Sequence, residues 1–128
     1  MTRINLVDPR KLSNKHLVAE YREILRIPNL VKKALQREGL QGVLDSIPVS
    51  YRLGAGHVNF FKDKGTFLAH RFVSLITEMA TRGFEVRYCD PTIFIQDYEE
   101  LNKDYIPTIL AIEENASRIY ERGNYMPL

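Results

Sequence analysis

Apolar residues recur at helical spacing in three stretches of this chain. The first stretch starts near residue 15 or 16, after Ser13 or Asn14 as capping residue, and its apolar positions 17, 18, 21, 24 and 25 would face a core. Pro28 should kink this helix or break it into two pieces. The helical pattern then fades near Gly39.

Two further helices are predicted in the second half of the chain. One runs from about residue 66 to residue 82, with Asp63 or Thr66 near its cap and Gly83 just beyond its end. The other has Pro107 in its first turn, apolar positions 109, 110, 112, 116 and 119, and an end at Gly123.

The connections between these helices show no clear periodicity. Residues 40–62 contain Pro48, Gly54 and Gly56 and are predicted to be irregular. Residues 84–102 are short and mixed, and the alternation at 84–88 suggests an extended segment without a sheet partner. The pattern therefore predicts an all-α fold: a compact single domain over residues 1–128, with three main helices and long irregular connections.

Composition excludes several classes of protein. Hydrophobic residues make up 45% and charged residues 27% of the chain, as in an ordinary globular protein. No apolar run approaches about 18 residues, and the N-terminus lacks the apolar region of a signal peptide, so we expect an intracellular, cytoplasmic protein without a membrane partner. Cys89 is the only cysteine and the three histidines are widely spaced, which predicts neither an internal disulfide nor a metal site. No cofactor is expected.

Charge is distributed unevenly along the chain. Residues 1–37 hold nine Lys/Arg and three Asp/Glu, a net charge of +6, whereas residues 38–128 hold nine Lys/Arg and thirteen Asp/Glu, a net charge of −4. A basic face of this kind fits a polyanion such as nucleic acid. A solvated, charged helix explains the same pattern, so both interpretations remain open.

The N-terminus offers a candidate nucleophile. Thr2 is small, so Met1 should be removable, which would leave a free α-amine with a pKa of about 7.7–8.0. A neutral amine forms Schiff bases with carbonyl-like carbons. A threonine hydroxyl nucleophile and an N-terminus without any function are the alternatives.

Several short segments, in chain order, together resemble the pyrimidine-dimer DNA glycosylase family. They are residues 1–6 (Met-Thr-Arg-Ile-Asn-Leu), 16–17, 19–23 (Ala-Glu-Tyr-Arg-Glu), 26, 53–58 (Leu-Gly-Ala-Gly-His-Val), 60–61, 63–64, 82–84 and 104–107. The resemblance implies a compact helical monomer that binds damaged double-stranded DNA and flips a base out of the stack. It also implies that the N-terminal α-amine cleaves the glycosidic bond and that the resulting imine on C1′ supports β-elimination, as in an abasic-site lyase.

The same resemblance implies roles for eight residues. Thr2 supplies the amine, and Glu23 is the catalytic carboxylate, which stabilises positive charge on the sugar and helps to remove the C2′ proton. From the residues alone, a Glu23–Arg26 salt bridge is the competing interpretation.

The predicted DNA-binding residues are Arg3, His16, Arg22, Arg26, Arg118 and Arg122. His16 has a core or capping role as its alternative. Phe60 and Phe61 are expected in the core, and a plain turn explains Gly54 and Gly56 as well as a close approach to DNA does.

The chain departs from the family at its end. The family has a tail rich in Trp and Tyr that borders the lesion, whereas residues 123–128 read Gly-Asn-Tyr-Met-Pro-Leu. The sequence therefore predicts a glycosylase and lyase acting on UV-induced pyrimidine dimers, with two alternatives. One is a glycosylase or abasic lyase for a different damaged base, and the other is a non-catalytic DNA-binding module.

Overall fold

The computed structural model of the protein describes residues 3–121, and this range is helical without a β-strand. An isolated antiparallel bridge joins Lys64 to Asn102. The α-helices are α1 (Asn14–Ile24), α2 (Ile27–Asp45), α3 (His57–Phe61), α4 (Gly65–Thr81) and α5 (Ile109–Glu121). Short 3₁₀ helices lie at Pro9–Lys11, Pro91–Phe94 and Glu99–Leu101. The predicted all-α class is confirmed.

The first predicted helix is two helices, α1 and α2. Ser13 caps α1, and its side chain accepts a hydrogen bond from the His16 N–H at 3.2 Å. Pro28 lies in the first turn of α2, where its missing N–H costs no helical hydrogen bond. The predicted break at Pro28 is thus confirmed, since α1 ends at Ile24 and α2 begins at Ile27.

The region after Gly39 is more regular than its sequence indicates. Gly39 has φ 73° and ψ 172°, a non-helical conformation that only glycine adopts readily, and it divides α2 into two helical pieces that meet at a kink. The helix resumes and continues to Asp45, and α3 occupies residues 57–61. The predicted end of the helical pattern near Gly39 agrees with this kink. The prediction that residues 40–62 are irregular was wrong for residues 40–45 and 57–61, which are helical.

Helix α4 matches its prediction at the C-terminal end. Gly83 has φ 85° and its N–H donates to the Ala80 carbonyl at 3.0 Å, while the Phe84 N–H donates to the Met79 carbonyl at 2.9 Å. These bonds satisfy carbonyls that the helix leaves unpaired at its end. At the other end neither predicted cap is used, because Lys64 is the N-cap residue and makes no side-chain capping bond.

Helix α5 starts later than predicted. The Thr108 hydroxyl accepts the Ala111 N–H at 3.0 Å, so the helix begins at Ile109 and Pro107 precedes it. Ile109 and Leu110, two of the apolar positions of the predicted helix, are 77% and 64% exposed. The fully buried positions of α5 are instead residues 111, 115 and 119, one of which is an asparagine.

The core lies between α1 and α4, which pack against each other, and the 3₁₀ helix Pro91–Phe94 packs on α4. Phe60 and Phe61 are core residues, as predicted, with 2% and 0% exposure. None of the helices in the described range is long and apolar enough to cross a membrane.

Candidate active site

The segment of residues 3–7 runs through the interior of the protein rather than over its surface. All five of its residues are buried, and Ile4 is completely inaccessible. We call it the N-terminal segment. A buried backbone must have hydrogen-bond partners, and this segment belongs to neither a helix nor a sheet. Side chains from the surrounding helices therefore have to supply those partners.

The first two N–H groups of the segment bind side chains from α1 and α3. The Arg3 N–H donates to Glu23 Oε2 at 3.0 Å, and the Ile4 N–H donates to His57 Nε2 at 2.8 Å. Glu23 belongs to the last turn of α1 and His57 is the first residue of α3. Residues that are 20 and 53 positions apart in sequence are thus brought together at the start of the chain.

Asn115 binds the other end of the N-terminal segment from α5. Its Oδ1 accepts the N–H groups of Leu6 at 2.7 Å and Val7 at 3.3 Å, and its Nδ2 donates to Asn5 Oδ1 at 2.8 Å. Asn115 is fully buried. Its three hydrogen bonds explain why a polar residue occupies the buried face of α5.

A buried ion pair supports the same segment from α1 and α4. Arg71 Nε and Nη2 donate to the two carboxylate oxygens of Glu20 at 2.7 and 2.9 Å. Arg71 Nη1 also donates to the Val7 carbonyl at 2.6 Å, and Asn5 Nδ2 donates to Glu20 Oε1 at 2.8 Å. Both charges are almost inaccessible, and their remaining hydrogen-bonding capacity is directed at the N-terminal segment.

Sequence reasoning missed this ion pair, although a signal was present. Glu20 lies on the same face of α1 as Leu17 and Ile24, and Arg71 lies on the same face of α4 as Leu68 and Leu75. Two opposite charges at core-facing positions of two helices indicate a buried pair.

His57 is held in one tautomer. The Arg52 carbonyl can only accept, so His57 Nδ1 carries the proton that donates to it at 2.8 Å, and Nε2 is left as the acceptor for Ile4. Burial lowers the pKa of His57; the Arg52 hydrogen bond raises it, and the nearby Arg3 charge lowers it. The imidazole is therefore neutral at pH 7. Its role was missed from the sequence, where it was noted only as part of a matching segment.

The turn before His57 depends on glycine. Gly54 and Gly56 have φ values of 73° and 84°, and the His57 N–H donates to the Gly54 carbonyl at 3.1 Å. A Cβ at Gly56 would lie 2.9 Å from Arg52 Cδ. These observations favour the turn as the reason for both glycines.

The Glu23 carboxylate is partly buried, and it forms no ion pair with Arg26. The Glu23–Arg26 salt bridge that competed with a catalytic role for Glu23 is thus absent, and Glu23 Oε2 accepts the Arg3 N–H. The side chains of Arg22 and Arg26, on either side of Glu23 in sequence, are exposed. This arrangement combines a partly accessible carboxylate with two surface cations.

The other predicted site residues are distributed around this centre. His16 is partly buried in the first turn of α1, seven residues and about 10 Å along the helix axis from Glu23. Arg118 lies on α5 three residues after Asn115 and lines a shallow cleft of about 480 Å³ together with Leu53. Thr2 and Arg122 lie outside the described residues.

In the described range, no group of three or more His, Cys, Asp or Glu side chains is arranged to hold a metal ion. The described groups that could take part in chemistry at this centre are the Glu23 carboxylate and the exposed guanidinium groups of Arg22 and Arg26. The predicted α-amine at the start of the chain would be the third.

Comparison with protein families agrees with this geometry. The family model described as pyrimidine dimer DNA glycosylase matches residues 1–90, which is more than two thirds of the chain. The match includes the whole N-terminal segment and its partners Glu23, His57, Glu20 and Arg71, whereas α5 lies beyond it. The chain therefore belongs to the pyrimidine dimer DNA glycosylase family.

Proposed function

We propose that this DNA glycosylase acts on UV-induced pyrimidine dimers in double-stranded DNA and is also an abasic-site lyase, with the α-amine of Thr2 as its nucleophile once Met1 is removed. Membership of the family makes the protein a glycosylase with a DNA substrate. The proposal adds the nucleophile, the imine and the second reaction.

The observation that carries the proposal is the 3.0 Å hydrogen bond from the Arg3 N–H to Glu23 Oε2. The Arg3 nitrogen is the peptide nitrogen that joins residue 3 to residue 2. A carboxylate at this nitrogen is therefore close to the start of the chain, which is where an amine nucleophile needs an acid–base partner. Five side chains from the surrounding helices form hydrogen bonds with this segment, which supports a function that needs the start of the chain in a fixed position.

The chemistry follows from these groups. The neutral amine attacks C1′ of the damaged nucleotide, and the glycosidic bond breaks with its electron pair leaving on the base, which then takes up a proton. Opening of the sugar ring gives an imine between the amine and C1′. Removal of a C2′ proton then allows the C3′–O bond to break, and the 3′ phosphate leaves. Glu23 stabilises the positive charge of the sugar and accepts the C2′ proton.

DNA binding is assigned to the arginines. Arg22 and Arg26 are exposed next to Glu23, and a planar guanidinium can bind a phosphate through two hydrogen bonds. We also assign phosphate contacts to Arg118 and Arg122, and a role in positioning the α1 end of the site to His16. Arg3 was predicted to bind DNA as well, but it is buried in the N-terminal segment, so we assign it no phosphate contact. Because the basic residues are concentrated in residues 1–37, the DNA should lie along α1 and the start of α2.

Borohydride trapping tests the proposal directly. Reduction of the imine should link the protein covalently to both a dimer-containing and an abasic duplex, and peptide mapping should place the link on the N-terminal peptide. A link on a lysine such as Lys11 or Lys15 would contradict the assignment of the nucleophile. Trapping on abasic DNA alone would favour the alternative lesion, and no trapping with intact DNA binding would favour the non-catalytic module.

A further inference from the structure

The N-terminal segment is fixed near its start by two hydrogen bonds on consecutive residues. Glu23 accepts the Arg3 N–H, and His57 accepts the Ile4 N–H at 2.8 Å. The next backbone N–H of the segment that binds a side chain is that of Leu6, which donates to Asn115. Glu23 and His57 are therefore the two side chains that accept backbone N–H groups at residues 3 and 4, and loss of His57 would remove one of these two anchors.

The imidazole is itself held rigidly. Its Nδ1–H donates to the Arg52 carbonyl at 2.8 Å, and the side chain is only 4% exposed. The rings of Tyr51 and Phe61 meet it edge-on, with centroid distances of 5.6 and 5.3 Å. A ring with a fixed position and a fixed tautomer is a precise acceptor for one N–H group.

We propose that His57 is a positioning residue for the N-terminal nucleophile: its Nε2 holds Ile4, and with it the α-amine two residues earlier, at the geometry that attack on C1′ requires. This inference rests on the proposed amine mechanism. In that mechanism the Glu23 carboxylate also stabilises the positive charge of the sugar and accepts the C2′ proton, so a second anchor is needed to hold the segment during the reaction. His57 binds the segment at the Ile4 N–H, so in this proposal it acts through the backbone.

The size of the expected effect follows from the sensitivity of catalysis to orientation. A displacement of about 1 Å in a reacting group can lower a rate about 100-fold. Loss of the Ile4 hydrogen bond should therefore slow imine formation without a comparable loss of DNA affinity, since Arg22 and Arg26, which the proposal assigns to phosphates, are exposed and lie outside the N-terminal segment.

Two substitutions at position 57 separate positioning from general stability. His57→Gln places an amide oxygen near the position of Nε2 and can still accept the Ile4 N–H. His57→Asn places its amide near the position of Nδ1, so it can bind the Arg52 carbonyl but cannot reach Ile4. Thr66→Val is the matched control, because it removes one partly buried hydrogen bond, to the Asn102 carbonyl, that does not involve the N-terminal segment.

The measurements are the single-turnover rate of borohydride trapping on an abasic duplex, the dissociation constant for that duplex, and hydrogen exchange of the Ile4 amide. We expect His57→Asn to exchange the Ile4 amide faster and to form the imine about 10- to 100-fold more slowly, with a dissociation constant within about twofold of wild type. His57→Gln should recover most of the rate, and Thr66→Val should retain it.

The inference is overturned if His57→Asn forms the imine at the wild-type rate while its Ile4 amide exchanges faster. It is also overturned if both substitutions at position 57 lose activity only in proportion to their unfolded fraction, because the role of His57 is then structural. Wild-type protein that traps DNA at no N-terminal peptide would overturn the proposed function first, and the positioning role with it.

Discussion

At the scale of single residues, the proposed function gives Glu23 two tasks, anchoring Arg3 and taking part in the chemistry, and one substitution can separate them. Glu23→Gln keeps an oxygen that accepts the Arg3 N–H, now bonded at 3.0 Å, but it loses the negative charge. We expect the affinity for dimer-containing DNA to hold or rise, while strand cleavage falls about 10²- to 10⁴-fold, the usual contribution of general acid–base catalysis. Gel-shift titration and single-turnover cleavage measure the two effects.

Glu23→Ala is the comparison for that experiment, because it removes both the charge and the acceptor for Arg3. Its Arg3 amide should exchange faster than that of Glu23→Gln. If Glu23→Gln cleaves DNA at the wild-type rate, Glu23 is an anchor for the N-terminal segment and has no part in the chemistry.

His57 should make the protein sensitive to acid. Burial is the main reason for its lowered pKa, opposed by the Arg52 hydrogen bond, with the Arg3 charge lowering and the Glu20 charge raising it. The unfolded chain, with a histidine pKa near about 6.5, then binds more protons than the folded protein at mildly acidic pH. The stability contributed by neutral His57 is complete above about pH 6.5 and is lost as the pH falls towards the lowered pKa.

Urea denaturation between pH 8 and pH 5 measures this loss. We expect the free energy of unfolding to fall more steeply with acidification in wild type than in His57→Gln, which has no proton to gain at this position. Parallel curves for the two proteins would show that His57 does not titrate differently on folding.

At the scale of elements, the Glu20–Arg71 pair joins α1 to α4 and both helices to the N-terminal segment. Removing one partner of a buried pair leaves the other charge uncompensated, which costs about 3–5 kcal/mol. We therefore expect Glu20→Ala to lower the free energy of unfolding by about that amount, measured by urea denaturation. Arg37→Ala is the control, since Arg37 and Glu38 form an exposed pair and its loss should leave stability nearly unchanged.

A small effect of Glu20→Ala, comparable to that of Arg37→Ala, would mean that the carboxylate is not needed to hold α1 against α4. Replacement of both partners by apolar residues would not restore full stability, because Asn5 Nδ2 and the Val7 carbonyl would lose their hydrogen bonds.

The sequence predicts those elements whose signals are local. Ser13 before α1, Pro28 at the start of α2 and Gly83 after α4 each satisfy or remove backbone groups within a few residues, so the pattern locates these boundaries. Glu23 and the arginines could be named because they fall in segments that resemble a family. The partners of the N-terminal segment could not be read in this way.

Helix α5 shows why. Leu110 is apolar but 64% exposed, whereas Asn115 is polar but fully buried. Asn115 is buried because it binds Leu6, 109 residues earlier in the chain, and a hydrophobic pattern contains no information about such a pairing. In a sequence, a buried polar residue cannot be distinguished from a surface residue until its partner is known. The side chains that hold the N-terminal segment were therefore missed.

At the scale of the whole molecule, charge is separated between a basic first third and an acidic remainder. Residues 1–37 carry a net charge of +6 and residues 38–128 carry −4. The structure refines this count, because Glu20 and Arg3 are buried while Arg22, Arg26, Lys32 and Lys33 are exposed along α1 and α2. The surface of these two helices is therefore the face that a polyanion should meet.

Salt dependence tests whether DNA meets that face. Each neutralised phosphate contributes about −0.9 to the slope of log K against log salt on B-DNA. We expect Arg22→Ala or Arg26→Ala to flatten the slope by about one unit, measured by fluorescence anisotropy over a salt series. Arg10→Ala is the matched control, because Arg10 is exposed and pairs with Asp8. Arg10 lies near the opposite end of α1 from Arg22, since Arg82 binds both the Arg10 carbonyl and the side chain of Asn14. Its slope should equal that of wild type. If all three variants keep the wild-type slope, α1 does not face the DNA, and the catalytic assignment of Glu23 on the same helix is wrong. If Arg10→Ala flattens the slope as much as the other two variants do, DNA binding follows the net charge of the protein rather than a defined face.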